Sequence, residues 1–198
     1  ALLVSVPAGV VAATRRRRLP DHAATTFSVL GEAMPNFWLG IMLILVFAVN
    51  LRLLPVSGRG SLAHLVLPAV TLGTGLAAVL TRLLRSSLIE SLNQDYVRTA
   101  HAKGARPSVV LVKHAMRNAL LGYLTVLGLQ MASLLAGSVV TEQVFAWPGI
   151  GLLAVQAINS RDMAVVQAIV IVSSLVVMFA NLVVDVLYAV IDPRIQYS

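Results

Sequence analysis

The chain has 198 residues, 58% hydrophobic and only 12% charged, with a formal net charge of +7 and no cysteine; a soluble domain carries about 25% charged residues. At a mean hydropathy of +0.87, a chain this size cannot bury its apolar surface against itself, so lipid covers much of it and the protein is integral to a membrane. Disulfides, thiolate chemistry and cysteine-ligated metal are excluded. The basic excess sits beside apolar runs, which fits orientation in an anionic-faced membrane better than nucleic-acid binding.

Ala1–Ala13 is apolar but shorter than the roughly 20 residues a crossing takes, and no basic region precedes it as in a signal peptide. It reads as the tail of a longer helix, and the chain as a fragment. Arg15, Arg16, Arg17 and Arg18 close this run. Alone they fit a nuclear-localisation-like or phosphate-binding patch; between apolar flanks they read as a topological anchor on the cytoplasmic side. A second run, about Thr26 to Val49, crosses outward. Pro35 lies within it and is expected to kink the helix by opening its carbonyl ladder. Asn36 faces a pore or, the favoured reading, partners the carbonyl that Pro35 frees.

Leu51 to Ala63, with Pro55, Gly58 and Gly60, is a short outer loop. About His64 to Ser87 returns inward as a helix bent at Pro68, with Gly73 and Gly75 as points of close approach. Arg82 and Arg85 mark its inner end. The segment Glu90–Arg117 that follows is polar and basic between two apolar runs. Within it Ile89, Leu92, Tyr96, Val97 and Ala100 recur at helical spacing and make one apolar stripe. Gly104 takes most easily the left-handed conformation that ends a helix, and Pro107 suits a helix start. The pattern predicts a helix over Glu90–Lys103, a sharp turn, and a second helix from Pro107.

About Asn118 to Val140 crosses outward, with Gly128, Ala132 and Ala136 forming a ridge that permits tight helix packing, although such spacing also arises by chance in an alanine-rich chain. Thr141 to Asp162 is an outer segment carrying Glu142, Trp147 at headgroup level, a Pro148-Gly149 turn and a short amphipathic piece. The last run, about Ala164 to Ile191, returns inward and ends at Asp192-Pro193-Arg194. Of the 15 basic residues only Arg52, Arg59 and Arg161 fall on outer segments, and that asymmetry sets the orientation.

Chemistry of its own is missing from the pattern. A phosphate-cradling loop needs Gly-Lys-Ser/Thr, but Lys103 and Lys113 follow Ala102 and Val112. His101 and His114 lack the further ligands a zinc site requires, and no nucleophile–base set is visible. Catalytic residues, metal and cofactor are all read as none. Ion-coupled carriers need intramembrane acids; here Glu142 lies at the outer border and Asp185 near the inner end of the last helix, on the face of Asn181, where local hydrogen bonding or helix packing is the leading reading. The deep interior offers neutral groups such as Gln130, Ser133, Ser173 and Ser174. This is the composition of a conduit worked from outside.

Asp95-Tyr96-Val97-Arg98-Thr99-Ala100-His101-Ala102-Lys103-Gly104, followed by His114-Ala-Met-Arg-Asn-Ala-Leu120, resembles the cytoplasmic coupling loop of ATP-binding-cassette (ABC) importer permeases, in their dipeptide/oligopeptide/nickel branch. Of the general Glu-Ala-Ala…Gly…Leu-Pro pattern only Ala100 and Gly104 fit. Arg98-Thr99-Ala100 is the branch's variant, and Met116 and Arg117 stand where the general form has Leu-Pro. Phe145–Gly151 and Asp192–Arg194 also resemble that branch.

The resemblance implies an all-α polytopic membrane bundle of the type I ABC importer permease kind, with about five membrane segments in this fragment. It implies one permease domain over residues 1–198, with the coupling loop at 90–117 inside it. It further implies a bacterial inner-membrane subunit, with coupling loop and C-terminus cytoplasmic, of an ATP-driven importer for peptides, nickel chelates or glutathione-like solutes. Two ATPase subunits, a second related permease, an extracytoplasmic solute-binding protein and membrane lipid are the implied partners. Asp95, Tyr96, Val97, Arg98, Thr99, Ala100, Ala102, Lys103 and Gly104 would couple to the ATPase, the apolar stripe lying in its groove. Pro35, Asn36, Gln130, Ser133, Trp147, Pro148 and Gly149 are gate or packing candidates. The alternatives are an ion-coupled secondary carrier and a non-transporting membrane scaffold.

Overall fold

A computed structural model describes residues 1–191, apart from the side chains at 131–133, 135–137, 184, 185 and 187–191. Among the described residues every regular element is a helix. In chain order they are α1 (Leu2–Thr14), α2 (Leu19–Ala33), α3 (Asn36–Leu43, continued by π-helical Ile44–Asn50), α4 (Leu62–Leu92), α5 (Asp95–Ala102), α6 (Pro107–Val109, continued by π-helical Val110–Ala115), α7 (Met116–Val144), α8 (Ile150–Asn159) and α9 (Met163–Ile191).

At 31 residues, α4 rises ~46 Å, beyond the hydrocarbon thickness of a bilayer. Among the described residues, α4 and the Met163–Val183 part of α9 are each long and apolar enough to span alone, and α2 with α3 passes as a broken third span. None of the apolar window in α9 is covered by the rest of the chain, which leaves it to lipid or a neighbour.

Three boundaries depart from the sequence pattern. The run expected as one kinked helix over Thr26–Val49 begins at Leu19 and is broken in two. Pro35 is extended (φ −63°, ψ 136°) and caps α3. Its ring disfavours helical geometry at Met34, and its missing N–H costs nothing at a helix start. The helix expected over Glu90–Lys103 is likewise split. Helix α4 ends at Leu92, and Gln94 (ψ 153°) opens α5. Helix α7 runs on to Val144, so the turn expected from Thr141 begins later.

Two compact units divide the chain. The first comprises Ala1–Gly31, Ala77–Gly128 and the described residues from Leu182. Its core is α1 on the second half of α4. Ala12, Leu80, Leu84 and Leu88 are fully buried, and a Cβ at Gly9 would lie 3.0 Å from the Leu84 side chain. Close approach at a small residue is how helices pack where hydrophobicity alone gives no drive. Ser5 and Tyr123 share a buried 2.6 Å hydrogen bond between α1 and α7.

The second unit comprises Glu32–Leu76 and Leu129–Asn181. Ala48, Leu67 and Phe145 form its core, with Leu43, Ile44, Phe47, Leu54 and Val144 packed around them. The Gly58 N–H donates to the Phe145 carbonyl at 2.9 Å, which ties the loop after α3 to the end of α7.

Candidate coupling site

Helix α5 and the turn at Gly104 occupy the first unit. Asp95 in the first turn suits the positive end of the helix dipole. Lys103 and Gly104 close the helix: the Gly104 N–H bonds the His101 carbonyl at 2.9 Å and the Ala105 N–H the Ala100 carbonyl at 3.2 Å. Gly104 has φ 79°, the left-handed conformation that a side chain resists. A Cβ there would meet nothing within 4 Å, so backbone geometry alone asks for glycine. Pro107 then starts α6. The predicted turn and second helix are in place.

The apolar stripe faces inward. Val97 and Ala100 pack on Val110, with Leu92 and Ala105 beside them, so these residues are spent within the chain and cannot fill a groove on another protein. Tyr96 leaves the stripe: it is 38% exposed, and its hydroxyl accepts a 2.8 Å hydrogen bond from the Asn118 amide. What α5 shows outward is polar. Asp95, Arg98, Thr99, His101, Ala102 and Lys103 are exposed, and Arg98 meets Asp95 at 3.7 Å with both side chains largely in solvent. Beside this face a cleft of about 320 Å³ is lined by Ser87, Glu90, Ser91, Gln94, Tyr96 and Asn118.

A short polar-faced helix is thus anchored by its apolar side to the start of the next long helix and closed by a left-handed glycine, where the sequence pattern placed a helix, a turn and a second helix. Residues 5–197 match the family described as binding-protein-dependent transport system inner membrane component. The chain belongs to that family. It is 45% identical over 207 residues to the oligopeptide transport system permease protein AppB of Bacillus subtilis (strain 168), covering 100% of the chain and 66% of the relative. It is 46% identical over 198 residues to the glutathione transport system permease protein GsiC of Escherichia coli (strain K12), covering 100% of the chain and 65% of the relative. The chain therefore spans just under two thirds of these relatives. The helical architecture of the described residues is that of the type I ABC permease fold.

The residues around the Pro148-Gly149 turn are organised by an acid, Glu142, that was expected only at the membrane border. Glu142, near the end of α7, accepts the Leu152 N–H in the first turn of α8 at 2.8 Å. Its own carbonyl accepts the Trp147 N–H at 2.8 Å. A Cβ on Gly149 would run into the Glu142 side chain, and one on Gly151 would fall 2.6 Å from the Val139 Cα. Gly149 and Gly151 are thus what let α8 close on α7 with a carboxylate at its N-terminus. Trp147 and Gly149 are half-buried and Pro148 is exposed.

Of the remaining candidates, Asn36 is half-buried as the first residue of α3. Since Pro35 precedes a helix rather than interrupting one, the carbonyl it was expected to free belongs to no continuous ladder. Gln130 is half-buried on α7. The side chains of Ser133, Ala132, Ala136 and Asp185, and the segment Asp192–Arg194, lie outside the described residues.

One contact in the first unit has no counterpart in the sequence reading. Asp21, 2% exposed, accepts the Arg17 N–H at 2.8 Å and Arg85 Nη2 at 3.0 Å, and also pairs with Arg85 Nε. An acid three positions after an arginine run, at a helix start, is the local signal for such a cap. Its long-range partner, Arg85, is set only by how α2 and α4 meet.

Proposed function

We propose that the permease is the translocation subunit of an ATP-driven, binding-protein-dependent importer in a bacterial inner membrane, carrying peptides or glutathione-like solutes. The match over residues 5–197 carries this reading, together with the relatives' names as oligopeptide and glutathione permeases. ATP hydrolysis falls to separate ATPase subunits, two of them, and a second related permease completes the path. An extracytoplasmic binding protein delivers the solute. The loop at 90–117 and the C-terminus face the cytoplasm, in keeping with the distribution of arginine and lysine.

Coupling runs through α5. Its exposed face, with Asp95, Arg98, Thr99, Ala102 and Lys103, meets the ATPase, and its buried face passes the displacement on. Movement of α5 reaches α4 through the short Asn93–Gln94 turn and reaches α7 through Val97 and Ala100 on Val110. Packed contacts of this kind move as rigid bodies rather than deforming. Tyr96, hydrogen-bonded to Asn118, adds a polar link along the same route. Gly104 holds the angle between α5 and the run into α7.

Reconstitution with ATPase and binding protein tests the proposal. Arg98→Glu with Lys103→Glu is expected to weaken ATPase association at least tenfold while the protein remains inserted and folded. Gly104→Val is expected to abolish uptake and to leave ATP hydrolysis uncoupled from solute. Normal uptake in both variants, or solute accumulation with no ATPase added, overturns it.

A further inference from the structure

We propose that the turn Arg15–Arg18 is a preformed docking surface for the phosphate groups of anionic phospholipids. The inference rests on membership of an inner-membrane family and not on the import cycle. The four arginine side chains are exposed, and among the described residues none forms an ion pair with a carboxylate. The nearest acid is already consumed. Asp21 is buried and holds Arg85 and the Arg17 N–H, so its charge is balanced by Arg85 and the four guanidinium groups of the turn stay uncompensated.

The same carboxylate fixes the shape of the surface. Arg17 has φ 61°, a conformation that costs a non-glycine residue about 1 kcal/mol, and its N–H is held by Asp21. The Arg18 carbonyl accepts the N–H groups of Asp21 and His22 at 3.0 and 3.1 Å. The turn is thus locked onto the start of α2 instead of fluctuating between the helices. Guanidinium groups bind phosphate oxygens in pairs, and a fixed turn reduces the ordering cost of doing so. Apolar side chains flank the turn: Leu19 is 85% exposed and Val11 40% exposed. A charged turn edged by exposed aliphatic groups fits a headgroup with its acyl chains better than it fits a free anion.

The discriminating experiment uses the purified permease in its complex, in nanodiscs of phosphatidylcholine with or without added phosphatidylglycerol. Thermal unfolding and the phosphatidylglycerol retained on native mass spectrometry are the readouts. Substituting Arg15, Arg16 and Arg18 by glutamine is expected to lower phosphatidylglycerol affinity roughly fivefold per arginine removed. Asp21→Ala keeps every arginine, makes the site more positive and removes the acceptor of the Arg17 N–H. Bulk attraction then predicts tighter binding, whereas a preformed turn predicts weaker binding, and we expect the weaker. Unchanged retention in the triple variant, or phosphatidylglycerol bound by Asp21→Ala as tightly as by the wild type, overturns the proposal. Displacement of the lipid by inorganic phosphate at matching concentration overturns the lipid assignment. The triple variant changes only exposed side chains, so the test survives any folding loss in Asp21→Ala.

Discussion

Gly149 and Gly151 sit two positions apart, yet they answer to different neighbours. A methyl at Gly149 meets the end of the Glu142 side chain, which can swing away; a methyl at Gly151 meets the Val139 backbone, which cannot. Gly151→Ala is therefore expected to destabilise by about 1–3 kcal/mol, and Gly149→Ala by less, its cost falling mainly on the lost Glu142 contact. Glu142→Gln keeps an acceptor for the Leu152 N–H and should behave nearly as wild type. Glu142→Ala leaves that donor unpaired, a loss of about 1 kcal/mol. Tryptic cleavage after Arg161, just past α8, reads the seating of the helix: the expected order of rates is wild type, glutamine, alanine, and equal rates in all three refute the seat. A glycine-rich turn was plain in the sequence. That its glycines make room for a carboxylate was not, because Glu142 lies a helix end away.

On the scale of elements, α5 separates into a face that holds and a face that offers. Val97 is 2% exposed and Arg98 is a solvent residue, though they are adjacent in sequence. Val97→Ala gives up roughly 2 kcal/mol of buried apolar contact, which raises amide hydrogen exchange along α5 by more than about tenfold if the helix opens as a unit. Arg98→Glu leaves those rates unchanged, because its pair with Asp95 is exposed and such pairs contribute little. The helical period of the sequence picked out Leu92, Val97 and Ala100, which are covered, along with Tyr96, which is not, and a period does not say whether a partner or the chain itself does the covering. Cover came from Val110, beyond the turn. Breaks were equally hard to see: Pro35 announced a disturbance, yet whether a proline kinks a helix or starts a new one depends on the backbone of the residue before it.

Across the whole molecule, the chain's lack of cysteine makes its orientation directly measurable. A single cysteine at Ser108, beyond α5, is expected to react with an impermeant maleimide only in inside-out vesicles. A cysteine at Ser57, in the loop after α3, is expected to react only in right-side-out vesicles. Both positions are exposed, so reactivity reports side and not burial. Labelling of both from one side would contradict the charge asymmetry on which the orientation rests.

Composition and the order of apolar runs settled by themselves that this is a helical membrane protein, and the stretch from Asp95 to Gly104 pointed to its family. Those properties are local or additive: hydropathy sums along the chain, and a motif is read in place. The tertiary structure alone decided that Val97 and Ala100 are covered from within, that Glu142 seats α8, and that Asp21 joins the arginine turn to Arg85. Each of these joins residues on separate helices, through side chains whose partners are fixed by packing, and no one-dimensional period carries that information.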